Sequence, residues 1–159
     1  MKIAVLERNS VGTDIDVTCF EDFGEVTYYR NTVAADAAEK VKDVDIIIAN
    51  KAPMNEETLK DAPNVKLICE FATGFDNIDL EYCKKRRIKV ANVKDYSTAA
   101  VAQHTFALAL YLLEHLPHYD TYVKDGSYGA QDRFSNFELP FTELAGKTWG
   151  CLLYTSDAA

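Results

Sequence analysis

The chain has 159 residues, of which 48% are hydrophobic and 26% are charged, the composition of a globular protein large enough to bury a core. Its formal net charge is −8, which argues against nucleic acids and anionic membranes as partners. The start of the chain lacks the basic and apolar stretches of a signal peptide, and no apolar run is long enough to span a bilayer. We therefore expect a cytoplasmic protein.

Neither the cysteines nor the histidines have the spacing of a redox pair or a metal site. The cysteines are Cys19, Cys69, Cys83 and Cys151, and the histidines are His104, His115 and His118. We predict buried free thiols in a reducing compartment. We also predict that His104 packs within a helix, that the other two histidines are solvated, and that no metal is bound.

Short apolar runs alternate with segments of helical spacing through the first 95 residues. The predicted strands lie at 2–7, 25–30, 44–50, 63–70 and 88–93, and the predicted helices at 32–43, 55–62 and 77–87. Strands that alternate with helices indicate an α/β fold, with a doubly wound, parallel, five-stranded sheet covered on both faces.

The loops after the strands are the expected ligand-binding region, because ligands bind at the carboxyl ends of such strands. These loops begin at Glu7, Asn50, Glu70 and Val93. In the stretch FATGFDNIDLEYC (71–83), we predict a tight turn at Gly74 and a helix start near Asn77, where backbone N–H groups would suit an anion. An ordinary strand-to-helix turn capped by Asp76 or Asn77 explains the pattern equally well.

A long apolar helix follows the predicted sheet, over residues 97–114, with Ser97 or Thr98 as its N-cap. Its apolar residues lie almost all round the axis, so we expect it to be buried on several sides. After Pro117 the sequence is aromatic, polar and mostly irregular, until GKTWG (146–150) opens a new strand.

Three stretches of the sequence together resemble the D-isomer-specific 2-hydroxyacid dehydrogenases. They are NKAPMNEETL, LICEFATGFDNIDLEYCKKRRIKVANVKDYSTAAVAQHTFALAL and ELAGKTWG. The chain looks like the glycerate dehydrogenase or hydroxypyruvate reductase branch. The resemblance implies an oxidoreductase that uses NAD or NADP, acts on a small 2-hydroxy or 2-oxo acid such as hydroxypyruvate or glyoxylate, and forms a homodimer.

The resemblance also implies how the chain is organised. Residues 1–96 are the expected substrate domain, with a flavodoxin-like fold that lacks the family's returning C-terminal segment. Residues 97–150 are the expected linker helix and first strand of a Rossmann NAD domain, and helix 98–116 is expected to contribute to the dimer contact. Residues 151–159 resemble no part of the family and match a translated sequencing adapter, so we expect a non-native tail. A divergent natural terminus is the alternative.

Site residues are carried over from the family to the matching positions of this sequence. Those expected to border the substrate are Asn50, Lys51, Thr73, Gly74, Tyr96 and Ser97. Those expected to reach the cofactor are Thr73, Thr98 and Val101. On spacing alone, Tyr96 and Ser97 could equally form a hinge, and Lys51 could be a solvated lysine. The family's catalytic Arg, Glu and His are expected beyond Gly150, so we predict that this chain alone is inactive and holds no cofactor tightly.

A signalling module of the receiver type is the alternative function, because it shares the five-stranded plan. Glu7 and Lys94 fit the acid and the lysine of such a module. The third strand, however, ends in Asn50, where a receiver needs a phosphate-accepting Asp, and a receiver has no use for the long apolar helix. A corepressor-like binding protein of the dehydrogenase family is a third possibility.

Overall fold

The structure, a computed structural model, describes residues 1–150, which form two compact units. The first unit is Met1–Tyr96 and the second begins at Ser97. The predicted tail at 151–159 lies outside the described residues. No helix within the described part of the chain is both long and apolar enough to cross a membrane.

The first unit contains a five-stranded, fully parallel sheet in the order β2-β1-β3-β4-β5, which confirms the predicted sheet. The strands are β1 (Lys2–Val5), β2 (Glu25–Tyr28), β3 (Ile46–Ala49), β4 (Leu67–Glu70) and β5 (Lys89–Ala91). This order reverses direction beside β1, and the carboxyl ends of all five strands meet at one edge of the sheet.

Three helices cover one face of this sheet: α1 (Ala34–Val41), α2 (Glu56–Leu59) and α3 (Leu80–Arg86). Each contributes to a single core cluster with the strand residues that point to this face, and those strand residues include Ala4, Ile47 and Ile68. All three strand side chains are 0% exposed. Because strand side chains alternate between faces, the neighbours of these residues point to the opposite face.

The opposite face has a smaller core and no α-helix over it within residues 1–96. Ile3, Val5 and Ile48 are buried there, and Phe20, from a 3₁₀ helix at Thr18–Phe23, packs against them. The expected cover on both faces is therefore not provided by α-helices within residues 1–96, and the first connection, for which the sequence predicts no helix, contains only turns and 3₁₀ helices. The Arg8 guanidinium donates to the carbonyls of Val11, Gly12 and Ile15, and these bonds stabilise turns instead of a helix.

The second unit contains α4 (Thr98–Leu113), α5 (Leu116–Lys124) and α6 (Ser127–Ala130). The predicted irregular segment after Pro117 is confirmed only from residue 131 onwards. Before it the chain is mainly helical, because Pro117 occupies the first turn of α5, where its missing N–H is not needed. Residues 146–150 form no strand. No described strand lies beside them in the sheet order, and a strand needs a partner for its backbone groups.

Several predicted burials also differ. No residue of α4 is buried in this chain, so the expected burial of this helix on several sides is wrong here, and His104 is exposed. His115 and His118 are half-buried, since the His118 ring stacks on Tyr122. Of the described cysteines, Cys83 is buried, Cys69 is half-buried and Cys19 is exposed.

Candidate functional site

The carboxyl edge of the sheet brings together the loops that follow β1, β3, β4 and β5. Glu7, which comes just after β1, is 7% exposed. Its carboxylate accepts the backbone N–H of Asn50 at 2.6 Å and that of Lys51 at 3.0 Å. The loop after β3 is thus held by an acid that follows the neighbouring strand. Sequence reasoning used Glu7 as the start of a predicted ligand loop and in the receiver alternative, but did not assign it to the site.

Lys51 presents a free positive charge at this edge. The residue is exposed, and its ammonium pairs with no carboxylate among residues 1–150. The lysine backbone is fixed by Glu7 while the side chain keeps its freedom to meet an anion. Asn50 beside it is half-buried.

The Thr73–Gly74 turn after β4 is tied firmly to the end of β5. The Thr73 hydroxyl donates to the Val93 carbonyl at 2.8 Å, and the Asn92 amide donates to the Thr73 carbonyl at 2.7 Å. Because the hydroxyl of Thr73 is already used, the donors left for a ligand are the backbone N–H groups of the turn.

Gly74 has open space where a side chain would stand. A Cβ built there meets nothing within 4 Å, and its φ is not in the left-handed region. The expectation that the turn itself requires glycine is therefore wrong. What a larger residue would fill is the space in front of the backbone, which is where a ligand would approach.

The helix after this turn begins later than predicted. Asp79 is the N-cap of α3, its side chain accepting from the Tyr82 N–H at 2.9 Å, so the helix start cannot supply free N–H groups at Gly74. Asn77 does not cap the helix, because its side-chain amide donates to the Ala52 carbonyl and to the Glu70 carboxyl. The alternative interpretation, an ordinary strand-to-helix turn with a capped helix, is right that a side chain caps the helix. The capping residue is Asp79, and not Asp76 or Asn77.

Glu70 starts one of the predicted ligand loops, but sequence reasoning gave it no role in the site. It ends β4 and is 1% exposed. Burial, reinforced by the nearby Glu7 carboxylate, raises the pKa of Glu70 to about 7, against the opposing effects of the Asn77 hydrogen bond and the Lys51 charge. The sequence feature that indicates this residue is a single acid directly after the apolar run LIC.

The other predicted site residues run along the chain from the last residue of the first unit to the first turn of α4. Tyr96, at the end of the first unit, is 64% exposed. Ser97 and Thr98 are half-buried, and Val101 is exposed in the first turn of α4. Ser97 is the N-cap by position, but its side chain makes no capping bond, so the first N–H groups of α4 have no side-chain acceptor.

Comparison with known proteins places the chain in a family. A family model described as D-isomer specific 2-hydroxyacid dehydrogenase, catalytic domain, matches residues 3–159. The chain belongs to this family. The family resemblance found in the sequence is therefore confirmed, and the receiver alternative receives no support.

Curated relatives of the dehydrogenase family match almost the whole chain. A hydroxypyruvate reductase from Blautia hydrogenotrophica is 33% identical over 97% of this chain and 49% of its own length. A glycerate dehydrogenase from Methylorubrum extorquens is 31% identical over 96% of this chain and 48% of its own length. The chain thus spans about half the length of these relatives.

Solved structures of similar proteins share the fold. A D-lactate dehydrogenase from Aquifex aeolicus, solved with NAD and lactic acid, is 30% identical and has a TM-score of 0.69, over 91% of this chain and 41% of that chain. An NAD-dependent formate dehydrogenase from Staphylococcus aureus, solved with NAD, is 26% identical and has a TM-score of 0.64, over 79% of this chain and 42% of that chain. These neighbours support the predicted α/β fold class.

Proposed function

We propose that this chain forms the substrate-binding side of an NAD-dependent oxidoreductase that acts on the CH–OH group of a small D-2-hydroxy acid. The physiological substrate is proposed to be a 2-oxo acid of the hydroxypyruvate or glyoxylate type. Family membership supports the reaction class, and the names of the curated relatives, which include hydroxypyruvate reductase, glycerate dehydrogenase and glyoxylate reductase, support the substrate class.

The observation that carries this proposal is the Thr73–Gly74 turn. It is anchored to β5 through Thr73, and open space lies in front of Gly74. Two adjacent backbone N–H groups of one turn can both donate to one carboxylate. The exposed, unpaired ammonium of Lys51 adds a positive charge on the neighbouring loop. We assign Asn50 to the substrate-bordering loop as well.

NAD, or NADP, is the proposed cofactor, and it supplies or accepts the hydride when it is bound. Thr73, Thr98 and Val101 are the residues assigned to it. The uncapped N–H groups at the start of α4 fit a polar group of such a cofactor, because α4 provides no acceptor of its own there. Tyr96 and Ser97 are assigned to the substrate. The acid–base residues of the family are proposed to lie beyond Gly150.

A homodimer is the proposed assembly of the complete enzyme. Apolar side chains on α4 are exposed in this chain, among them Phe106, Leu108, Leu110 and Leu112. A helix that exposes such a surface needs a cover. We propose that a second subunit and the remainder of an NAD domain provide it.

A chimera tests the proposed function. Residues 1–150 are joined to the C-terminal half of the Blautia hydroxypyruvate reductase, and NADH oxidation with hydroxypyruvate is measured. We expect turnover by the chimera and none by the 159-residue chain alone, since loss of acid–base catalysis by itself lowers rates ~10²–10⁴-fold. A folded chimera without turnover contradicts the proposal.

Two variants of the chimera locate the carboxylate. Gly74→Val fills the open space and is expected to raise KM about tenfold while kcat changes little, the size of effect that one hydrogen bond to a charged group produces. Ala35→Val introduces the same valine side chain at an exposed position of α1 and should leave KM unchanged. An unchanged KM in Gly74→Val removes the turn from the site.

A further inference from the structure

Two buried carboxyl groups lie near one another at the carboxyl edge of the sheet, and they differ in their partners. Both oxygens of Glu7 accept backbone N–H groups. Glu70 has one donor only, the Asn77 side-chain amide, 3.2 Å from its Oε2. The other oxygen, Oε1, is buried and has no hydrogen-bond partner within the described residues.

Asn77 links Glu70 to the loop after β3. Its side-chain amide donates to the Ala52 carbonyl at 3.0 Å as well as to Glu70. Backbone bonds reinforce the link, since the Met54 N–H donates to the Asn77 carbonyl at 2.8 Å and the Asp79 N–H donates to the Met54 carbonyl at 2.9 Å. The loop that carries Asn50 and Lys51 is therefore fastened to the loop that carries Thr73 and Gly74.

The surroundings of Glu70 favour its neutral form. The charged groups that face it are the Glu7 carboxylate, which disfavours a second negative charge, and the Lys51 ammonium, which favours one. Lys51 is exposed, so water weakens its effect. An ionised Glu70 would bury a charge with one oxygen unpartnered, and an unpartnered buried charge strongly favours an open state in which water reaches it.

We propose that Glu70 is a positioning residue: its buried carboxyl, bonded to Asn77, keeps the loops after β3 and β4 closed on each other while it is neutral, and this closure weakens when the proton leaves, because the cost of burying the charge exceeds the gain from a stronger Asn77 bond. Opening of these loops solvates Glu70 and releases its proton. The loops that we assign to the substrate are thus held most firmly at low pH and loosen as pH rises. The relevance to substrate rests on the proposed function, whereas the closure itself does not.

Amide hydrogen exchange of the 159-residue chain tests the proposal, with the N–H groups of Met54 and Asp79 as reporters because both bond across the two loops. After correction for the intrinsic pH dependence of exchange, their protection should fall at least about tenfold between about pH 5 and about pH 8. In Glu70→Gln, which keeps an acceptor for Asn77 but carries no titrating proton, the protection should not change with pH. Glu57→Gln, at an exposed acid of α2, should behave as the parent chain.

A direct titration keeps the proposal testable if Glu70→Gln does not fold. The side-chain carboxyl carbon of Glu70, followed by NMR in the unsubstituted chain, should titrate near pH 7. A midpoint near its ordinary value of 4.5 overturns the proposal, as does the same pH-dependent exchange in Glu70→Gln as in the parent. An inactive chimera would count against the proposed function alone, because neither measurement here depends on turnover.

Discussion

The two faces of the sheet differ in how completely they are covered. On the helical face, Ile68 of β4 is 0% exposed within a core that three helices complete. On the other face, its neighbours Leu67 and Cys69 are only half-buried. They line a groove of about 440 Å³ whose other walls include Phe20, Phe23 and Phe71. The first unit therefore draws its stability mainly from one face, and the other remains an apolar surface.

Substitutions at adjacent residues of β4 should separate the two faces most strongly. Ile68→Ala leaves a cavity in the helical-face core and is expected to lower the free energy of unfolding by about 3 kcal/mol. Leu67→Ala, on the groove side, should lower it by about 1 kcal/mol, because this side chain is already half in water. Urea unfolding monitored by circular dichroism measures both. Equal losses would contradict the difference between the faces.

Glu70 offers the next largest effect, and its sign depends on pH. Because its pKa is raised from 4.5 to about 7, the folded chain binds more protons than the unfolded chain between these values. The free energy of unfolding should therefore fall as pH rises through this window. Glu70→Gln removes the titration, so relative to the parent it should gain up to about 3 kcal/mol at pH 8 compared with pH 4.

Glu7→Gln is the matched comparison, at the second buried acid of the same edge. Both Glu7 oxygens accept N–H groups, and an amide replaces one acceptor by a donor, so this variant should be destabilised instead. Unfolding experiments at several pH values measure the free energy of unfolding of both variants. If Glu70→Gln loses stability in parallel with Glu7→Gln at pH 8, Glu70 is an ordinary ionised partner of Asn77.

A smaller effect is expected from the helix cap on the covered face. Asp79→Ala removes the acceptor for the Tyr82 N–H at the start of α3 and should cost about 1 kcal/mol. Asp76→Ala, at an exposed acid three residues earlier, is the control and should change stability little. Thermal unfolding of both variants checks the assignment. A larger loss of stability in Asp76→Ala than in Asp79→Ala would show that Asp76 caps the helix, as one interpretation of the sequence predicts.

The sequence predicted the sheet better than it predicted the loops. Each strand is a short apolar run such as DIIIAN or KLICE, and strand burial depends mainly on local hydrophobicity, so the element is visible without a structure. The link from Glu70 through Asn77 to Ala52 joins three different segments. No local sequence pattern predicts such a contact. The one indication in the sequence is the acid Glu70 at the end of an apolar strand.

Two other differences have local causes that the pattern did not reveal. Pro117 was interpreted as a helix breaker, although a proline in the first turn is compatible with the helix that α5 forms. Cover on both faces of the sheet was expected, yet Arg8 binds three carbonyls of the first connection, which forms turns and 3₁₀ helices and no α-helix. Gly74 is the opposite case, since its importance was predicted both from close approach of a ligand to the backbone and from strain in the turn, and its geometry agrees with the open space of the first reason but not with the second.

The most direct test of the substrate edge is an NMR titration of the ¹⁵N-labelled 159-residue chain with hydroxypyruvate. The backbone amides of Thr73 and Gly74 should shift most, with smaller changes at Asn50 and Lys51, because a carboxylate bound at the turn accepts its N–H groups. Chloride at the same concentration is the control and should not change the chemical shifts of these amides. Hydroxypyruvate shifts confined to other parts of the chain, with Thr73 and Gly74 unchanged, would contradict the assignment of this edge to the substrate.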